Sequence, residues 1–232
     1  MINPFKPVRD YDGMRLKLSM TNAIAALFAI LVLRAEVAPL DALLKALNVP
    51  VKFSGVEIPA GSFIVAVAWA FACYVLRLHN RIAALFSIRS HFDLFVILLP
   101  LAHLCGLSVT NNRLQNLRHR ADEFMRKTFY KYASSSRPQI DSHLITSALD
   151  HWTNFWIFAE IIPLALITAG ILFFHQKAKI CVGVLMLIFI LLFILNFLYQ
   201  ECVKAALVEL EAIASDANRK RDILEKFSEL QD

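Results

Sequence analysis

The chain has 232 residues, of which 58% are hydrophobic and only 19% charged, with a formal net charge of +5. An average soluble domain carries roughly 25% charged residues, and here the apolar surplus is gathered into long uninterrupted runs, which excludes an ordinary soluble domain. Only six glycines occur and strand-like alternation is almost absent, which excludes an outer-membrane barrel with its alternating segments of about ten residues.

The fold class that remains is all-α, a helical integral membrane protein, because runs of about 18 or more apolar residues read as membrane spans. The N-terminus carries Lys6, Arg9, Arg15 and Lys17 ahead of the apolar run from Asn22 to Leu33. That order resembles a signal peptide. Arg34 and Glu36 stand where a small-x-small cleavage site would be needed, so a retained first span over about Leu18 to Leu33 is expected. Next comes "PLDALLKALNVP". Leu40, Leu43, Leu44 and Leu47 fall at i, i+3, i+4 and i+7, the stripe of a short amphipathic helix lying at the membrane surface. "VKFSGVEIPAGS" reads as a turn-rich connector. The second span runs from Ile58 to Leu78.

"RIAALFSIRSHF" has helical spacing and is expected to lead out of span two. Phe92 to Val109 is apolar enough to cross the membrane. Asp93, Pro100, His103 and Gly106 interrupt it. A charge at the bilayer centre costs roughly 2.5–3.5 kcal/mol on insertion scales, and Pro100 removes a backbone donor. The expectation is a re-entrant or protein-buried hairpin bent near Pro100, with Asp93, Pro100 and His103 at the bend. Burying it requires oligomerisation or packing against the spans, since irregular backbone at membrane depth must be covered.

"RLQNLRHRADEFMRKTFYKYA" is expected to form one helix. Leu114, Leu117, Ala121, Phe124 and Thr128 make a narrow apolar stripe. Arg113, Arg118, Arg120, Arg126, Lys127 and Lys131 surround it. A basic amphipathic helix contacts anionic lipid headgroups or a cytoplasmic protein partner. A protein–nucleic acid complex is a third class of partner, although no nucleic-acid-binding motif is present. After the loop "SSSRPQID", Asp141 is suited to cap the helix that enters span three. His143, Asp150 and His151 on that helix do not have the i, i+4 spacing of helical zinc ligands, and they read as ordinary exposed polar residues.

The third span is Asn154 to Phe174, entered by the aromatic pair Trp152 and Trp156. Glu160 is the one acid well inside a span. An intramembrane carboxylate is a functional-site hypothesis; the plainer reading is a structural pair with an arginine, His103 or another basic group. The fourth span, Ile180 to Tyr199, carries no charge, and Asn196 near its end is suited to a hydrogen bond with a neighbouring helix. The tail from Gln200 has neither glycine nor proline. Ala206, Leu210, Ile213, Ala217, Leu224 and Phe227 approximate a 3.5-residue repeat interrupted by Lys220. The tail is acidic overall, opposite in sign to the basic middle. It is therefore expected to form a short coiled coil, to dock on the basic region, or to stand as a solvated helix. Cys73, Cys105, Cys181 and Cys202 form no CxxC pair and read as small buried hydrophobes, not as a disulfide framework.

Four spans divide the chain into an N-terminal transmembrane hairpin (1–78), a basic middle (79–153), a C-terminal transmembrane hairpin (154–199) and a helical tail (200–232). Both termini and the middle then share one side with nineteen lysines and arginines, against five on the other. A fifth span over residues 92–109 would place nine on the N-terminal side and fifteen opposite. Positive residues accumulate on the cytoplasmic side, so four spans with cytoplasmic termini are expected, in a bacterial inner membrane.

Catalytic signatures such as GxSxG, a phosphate loop, GxGxxG and HExxH are missing, so neither an enzyme nor a small-molecule substrate or cofactor is expected. With no internal repeat, a transporter is not expected. A short chain of two transmembrane hairpins, a basic cytoplasmic middle and a helical tail resembles the small multi-span effectors of bacterial anti-phage defence. The resemblance is architectural, and no motif transfers a residue role. It implies an oligomeric membrane effector held silent by a cytoplasmic partner, such as a retron-type complex, that permeabilises the membrane when activated. The competing class is a non-enzymatic anchor or sensor that recruits a cytoplasmic partner and conducts nothing.

Overall fold

A computed structural model describes residues 7–46, 50–53 and 56–229. The chain divides into two compact units. One consists of Arg15–Arg81 and Thr153–Phe197, the other of Ile82–Trp152 and the chain from Leu198 onward, with the stretch that ends at Met14.

The first unit is built on long apolar helices. Helix α1, Tyr11–Glu36, extends the expected first span at both ends. Thr21 fits its interior because its hydroxyl donates back to the carbonyls of Lys17 and Leu18, each at 3.0 Å. Helix α2, Ala38–Ala46, is the expected amphipathic helix; Leu44 is buried and Leu43 exposed, while Leu47 lies outside the described residues. Asp41 anchors α2 to the end of α1 through Arg34 at 2.6 Å and also pairs with Lys45 at 2.6 Å. The expected connector holds a short antiparallel ribbon instead. Strands β1, Pro50–Phe53, and β2, Val56–Pro59, pair with Val51 opposite Ile58 and Lys52 opposite Glu57. Helix α3, Ala60–Leu76, and helix α4, Leu78–Leu85, follow.

Helix α9, Ser142–Phe174, and helix α10, Ala178–Ala214, supply the rest of this unit from their apolar portions. Two clusters hold the helices together. Ala26, Ile30, Leu44, Ala66 and Leu164 form one; Leu33, Val37, Ala169, Leu172 and Cys181 form the other. Alanines at these contacts let helix backbones approach closely, which is how helices pack when hydrocarbon and side chain are equally apolar. The Cys181 thiol donates to the Ala169 carbonyl at 3.5 Å. Among the described residues three helices, α1, α9 and α10, are long and apolar enough to cross a membrane, and the bent pair α3 and α4 makes a fourth if it is one span. Along α10 the apolar side chains are mostly exposed, Phe189 and Phe193 among them, as a bilayer solvent permits.

The second unit contains the basic middle and the tail. Helix α5, Ile88–His91, runs into a π-helical stretch, Phe92–Leu98, and then helix α6, Leu99–Leu104. Leu98, Leu101 and Ala102 are fully buried, and the segment is not among the helices that qualify as spans. The expected bend at Pro100 is displaced. Pro100 lies in the first turn of α6, where its missing donor costs little. The π-helical register just before it still bonds, with Leu99 N–H reaching the Leu94 carbonyl. Helix α6 closes in a turn at Gly106, whose φ of 89° only glycine adopts readily, with the Leu107 N–H bonding the Ala102 carbonyl at 2.9 Å.

The long basic helix is broken as well. Arg120 leaves helical geometry at φ −112°, ψ 18°, and separates α7, Asn111–His119, from α8, Ala121–Phe124, which passes into a second π-helical stretch, Met125–Phe129. The expected stripe survives the break, with Leu117, Phe124 and Thr128 fully buried. Asp141 caps α9 as expected, accepting from the His143 N–H at 2.8 Å. The tail continues α10 to Ala214 and then breaks. Asp216 caps helix α11, Ala217–Ser228, by accepting from the Asn218 and Arg219 N–H groups at 2.9 Å. The break explains why Ala217 is exposed while Ala206, Leu210 and Ile213, earlier in the repeat, are buried. All four cysteines are buried and free.

Candidate functional site

The first unit buries one constellation of polar side chains, and it is built from three helices. Helix α3 ends when Arg77 enters the left-handed region at φ 48°, ψ 58°, its N–H turning back to the Cys73 and Tyr74 carbonyls. Helix α4 restarts at once but at an angle of 58° to α3. The first N–H groups of any helix lack partners inside it and carry partial positive charge. Glu160, on α9 and 1% exposed, supplies the answer. Its Oε1 accepts the His79 N–H at 2.8 Å, and the His79 ring Nδ1 lies 3.3 Å from the same oxygen. Its Oε2 accepts from the Asn22 side-chain amide on α1. The Trp156 ring, one turn before Glu160, lies 6.1 Å from the His79 imidazole.

Glu160 therefore acts as a remote cap for α4, tying α1, α9 and the break after α3 together. Pro163, inside α9, has no N–H for the carbonyl four residues back, which leaves α9 easier to bend just past the site. A recess opens beside the constellation. It holds about 210 Å³ of empty space including its mouth, and Arg15, Ser19, Asn22, Cys73, Tyr74, His79 and Glu160 are among its lining residues. The Arg15 guanidinium lies 4.1 Å from the Tyr74 ring centroid and donates to the Tyr74 carbonyl at 3.4 Å. Two buried polar atoms at this recess have no hydrogen-bond partner among the described residues: Asn22 Oδ1 and Arg15 Nε.

The other sequence-derived candidates are dispersed. His103 is exposed on α6 and does not meet Glu160; the partner is His79. Asn196 is exposed on α10. In the second unit Asp93 is buried, with Arg89 at 3.6 Å. Burial pushes its carboxyl up to about 6; Arg89 pulls the other way and Asp122 adds to the rise.

The six basic residues do not form one open patch. Arg120 bonds Glu123 at 2.9 Å, and Lys127 bonds the same carboxylate at 2.6 Å. Lys131 and the Tyr132 hydroxyl both donate to Asp222 of the tail, at 2.7 and 2.5 Å. Lys127 also lies 3.9 Å from Glu229. Phe124 and Phe227 pack beneath these pairs at 5.6 Å between ring centroids. Arg113 is half-buried, whereas Arg118 and Arg126 are exposed. The tail thus docks on the basic region, one of the arrangements expected from their opposite charges. Among the described residues no group of three His, Cys, Asp or Glu side chains is placed to hold a metal.

Sequence reasoning found Glu160 but missed Asn22 and His79. Asn22 was legible as a lone amide at the head of an apolar run. His79 sits in "LRLHNR", where a basic cluster after a span reads as a headgroup anchor, and only the fold reveals it as a ligand of Glu160.

The chain's similarities cover this architecture. The YmfE protein family matches residues 10–225. A protein of Escherichia coli (strain K12), named "Uncharacterized protein YmfE", is 30% identical over 187 residues, 78% of this chain and 76% of that protein. No solved structure matches.

Proposed function

The chain belongs to the YmfE protein family, and we propose that it is a switchable, non-enzymatic membrane effector whose resting form is held by Glu160. The observation that carries this reading is the buried carboxylate capping α4 at a 58° break in an otherwise span-length helix pair. A structural ion pair has no need of a break. A carboxylate spent on the first turn of α4 stabilises the bent form over a straightened one, in which His79 N–H bonds within a continuous helix instead.

In the proposed mechanism a cytoplasmic partner biases this two-state element, and straightening α3 into α4 perturbs the bilayer. Both termini and the basic region lie on the cytoplasmic side of a bacterial inner membrane, where the lysine and arginine bias puts them. The trigger we propose, by analogy with small anti-phage effectors, is a phage-responsive cytoplasmic complex, with several copies acting together. The anchor reading draws on the exposed Arg118 and Arg126, which are open to anionic lipid or an acidic partner.

Induced expression with a membrane-potential dye separates the two. Depolarisation by the parent chain supports the effector; normal growth and potential at high expression support the anchor. Glu160→Gln keeps the shape and weakens a charge-assisted bond worth about 1.5–3 kcal/mol. It is expected to depolarise severalfold more strongly at matched membrane abundance. Glu160→Leu is expected to insert normally and shift the same property. If both variants match the parent in dye response, Glu160 does not hold a switch.

A further inference from the structure

Helix α1 carries Arg15, Ser19 and Asn22 at i, i+4 and i+7, on one face, and all three line the recess. The two ends of that recess differ in chemistry. At the deep end Asn22 is 2% exposed and Glu160 1%. Both offer acceptor oxygens, and Asn22 Oδ1 has no partner among the described residues. At the outer end Arg15 is half-buried and held by Tyr74, on whose ring it stacks and to whose carbonyl one terminal nitrogen donates. Arg15 Nε, which can only donate, is buried there without a partner among the described residues. Buried polar groups in proteins are paired, so each end calls for a complementary group.

Seven residues of α1 separate the two positions, about 10.5 Å of helix rise. That spacing suits a ligand with two ends rather than a single water or ion. The outer end must accept from a guanidinium, whose planar fork matches a phosphate. The deep end must donate to Asn22 Oδ1 beside a carboxylate, which a primary ammonium does with three donors and no acceptor. One guanidinium and one carboxylate line the recess, so a zwitterion also matches it in charge. Arg15 stands just ahead of the apolar run that begins at Asn22, the level at which a span meets lipid headgroups.

We propose that this recess binds a phosphoethanolamine group, with the phosphate on Arg15 and the ammonium on Asn22 Oδ1 beside Glu160. The group is carried by a phospholipid or by free glycerophosphoethanolamine. Ser19 lies between the two ends, where its hydroxyl can serve the linking oxygens. Choline fits poorly, because its quaternary nitrogen has no N–H to donate. A glycerol headgroup brings hydroxyls but no cation for the Glu160 side. Binding of this kind needs neither a straightened α3–α4 pair nor any effect on the bilayer, so it stands apart from the switch.

Native mass spectrometry of the full chain, stripped of lipid in detergent and offered phospholipids with identical acyl chains, tests this. The parent is expected to hold the ethanolamine lipid at least about tenfold more tightly than the choline or glycerol lipid, the effect of one charge-assisted hydrogen bond. Affinity should fall as the ethanolamine nitrogen is methylated stepwise, a series that needs no variant. Asn22→Leu is expected to abolish the preference for ethanolamine over choline, and Arg15→Gln to weaken every phospholipid about tenfold. Arg221→Gln, which removes an exposed arginine of α11 outside the recess, is expected to keep the parent preference. Soluble glycerophosphoethanolamine that raises the Tm of the stripped chain assigns the group to a free ligand; retention of the diacyl form alone assigns it to the bilayer. Binding of neither form, equal retention of ethanolamine and choline lipids by the parent, or an undiminished preference in both recess variants overturns the proposal.

Discussion

At the scale of single residues, two buried acids are handled differently. Glu160 is met by an amide, a backbone N–H and an imidazole. Asp93 has one cation at 3.6 Å and an acidic neighbour, and burial prevails, so its carboxyl rises from 3.8 to about 6. The folded form therefore holds a proton between about pH 4 and 6 that the unfolded chain has released. Stability drawn from this group falls as pH rises through that window and levels off above it. Asp93→Asn has no such slope. In detergent, the Tm of the variant relative to the parent is expected to climb from pH 4 to pH 6 and then stay flat, by the equivalent of roughly 1–3 kcal/mol. A flat difference across the window would show that Asp93 is ionised throughout. The sequence made Asp93 visible as a charge inside an apolar run. It did not show whether Arg89, one turn earlier, outweighs burial, because that balance is set by the packing of other elements.

At the scale of elements, the apolar runs were readable and the breaks were not. Helices α1, α9 and α10 follow directly from uninterrupted apolar stretches. The breaks at Arg77, Arg120 and Asp216 carry neither proline nor glycine. Arg77 adopts left-handed geometry that non-glycine residues seldom take. Asp216 was readable as a cap in principle, but the repeat continuing to Ala217 and beyond argued for a straight helix. The docking of α11 was foreseen in sign, through an acidic tail and a basic middle. Its anchor is apolar, since Phe227 is buried against Phe124 and the Lys131–Asp222 pair is partly exposed. Phe227→Ala is expected to cost about 3–5 kcal/mol and to release α11, whereas Asp222→Asn should cost no more than about 1 kcal/mol. Hydrogen exchange over residues 217–228 checks the order. Equal protection in the alanine variant would mean that α11 holds its place without the ring.

At the scale of the whole molecule, the one-sided placement expected of the basic residues yields a direct topology test. A reporter active only in the cytoplasm, fused after Ser135, should be active if four segments cross. Cysteines introduced at residues 108 and 110 should resist periplasmic labelling. An inactive reporter at normal expression, or efficient periplasmic labelling, would mean that residues 92–109 form a fifth span. Their burial within the second unit was legible only as a conflict between apolarity and interruption. The register that resolves it, a π-helical stretch ahead of Pro100 with a closing turn at Gly106, belongs to the packed state.

Helix α3 has 17 residues, about 25 Å of rise, while a typical hydrocarbon core is about 30 Å thick. With α4 inclined at 58°, the bent pair still advances about 32 Å along the α3 axis, close to that thickness. Adding the eight residues of α4 in line gives about 38 Å, longer than most bilayers and able to fit by tilting. Thickness mismatch thus bears less on the bent form than on the proposed straightened one, at fractions of a kcal/mol per Å. Thin bilayers favour the bend and thick ones the straightened helix. Spin labels at Val67→Cys and Arg81→Cys, in a background without native cysteines, should move apart as vesicle lipids are lengthened from fourteen-carbon to twenty-two-carbon chains. A separation that stays constant across that series would mean that acyl-chain length does not act on the Arg77 break.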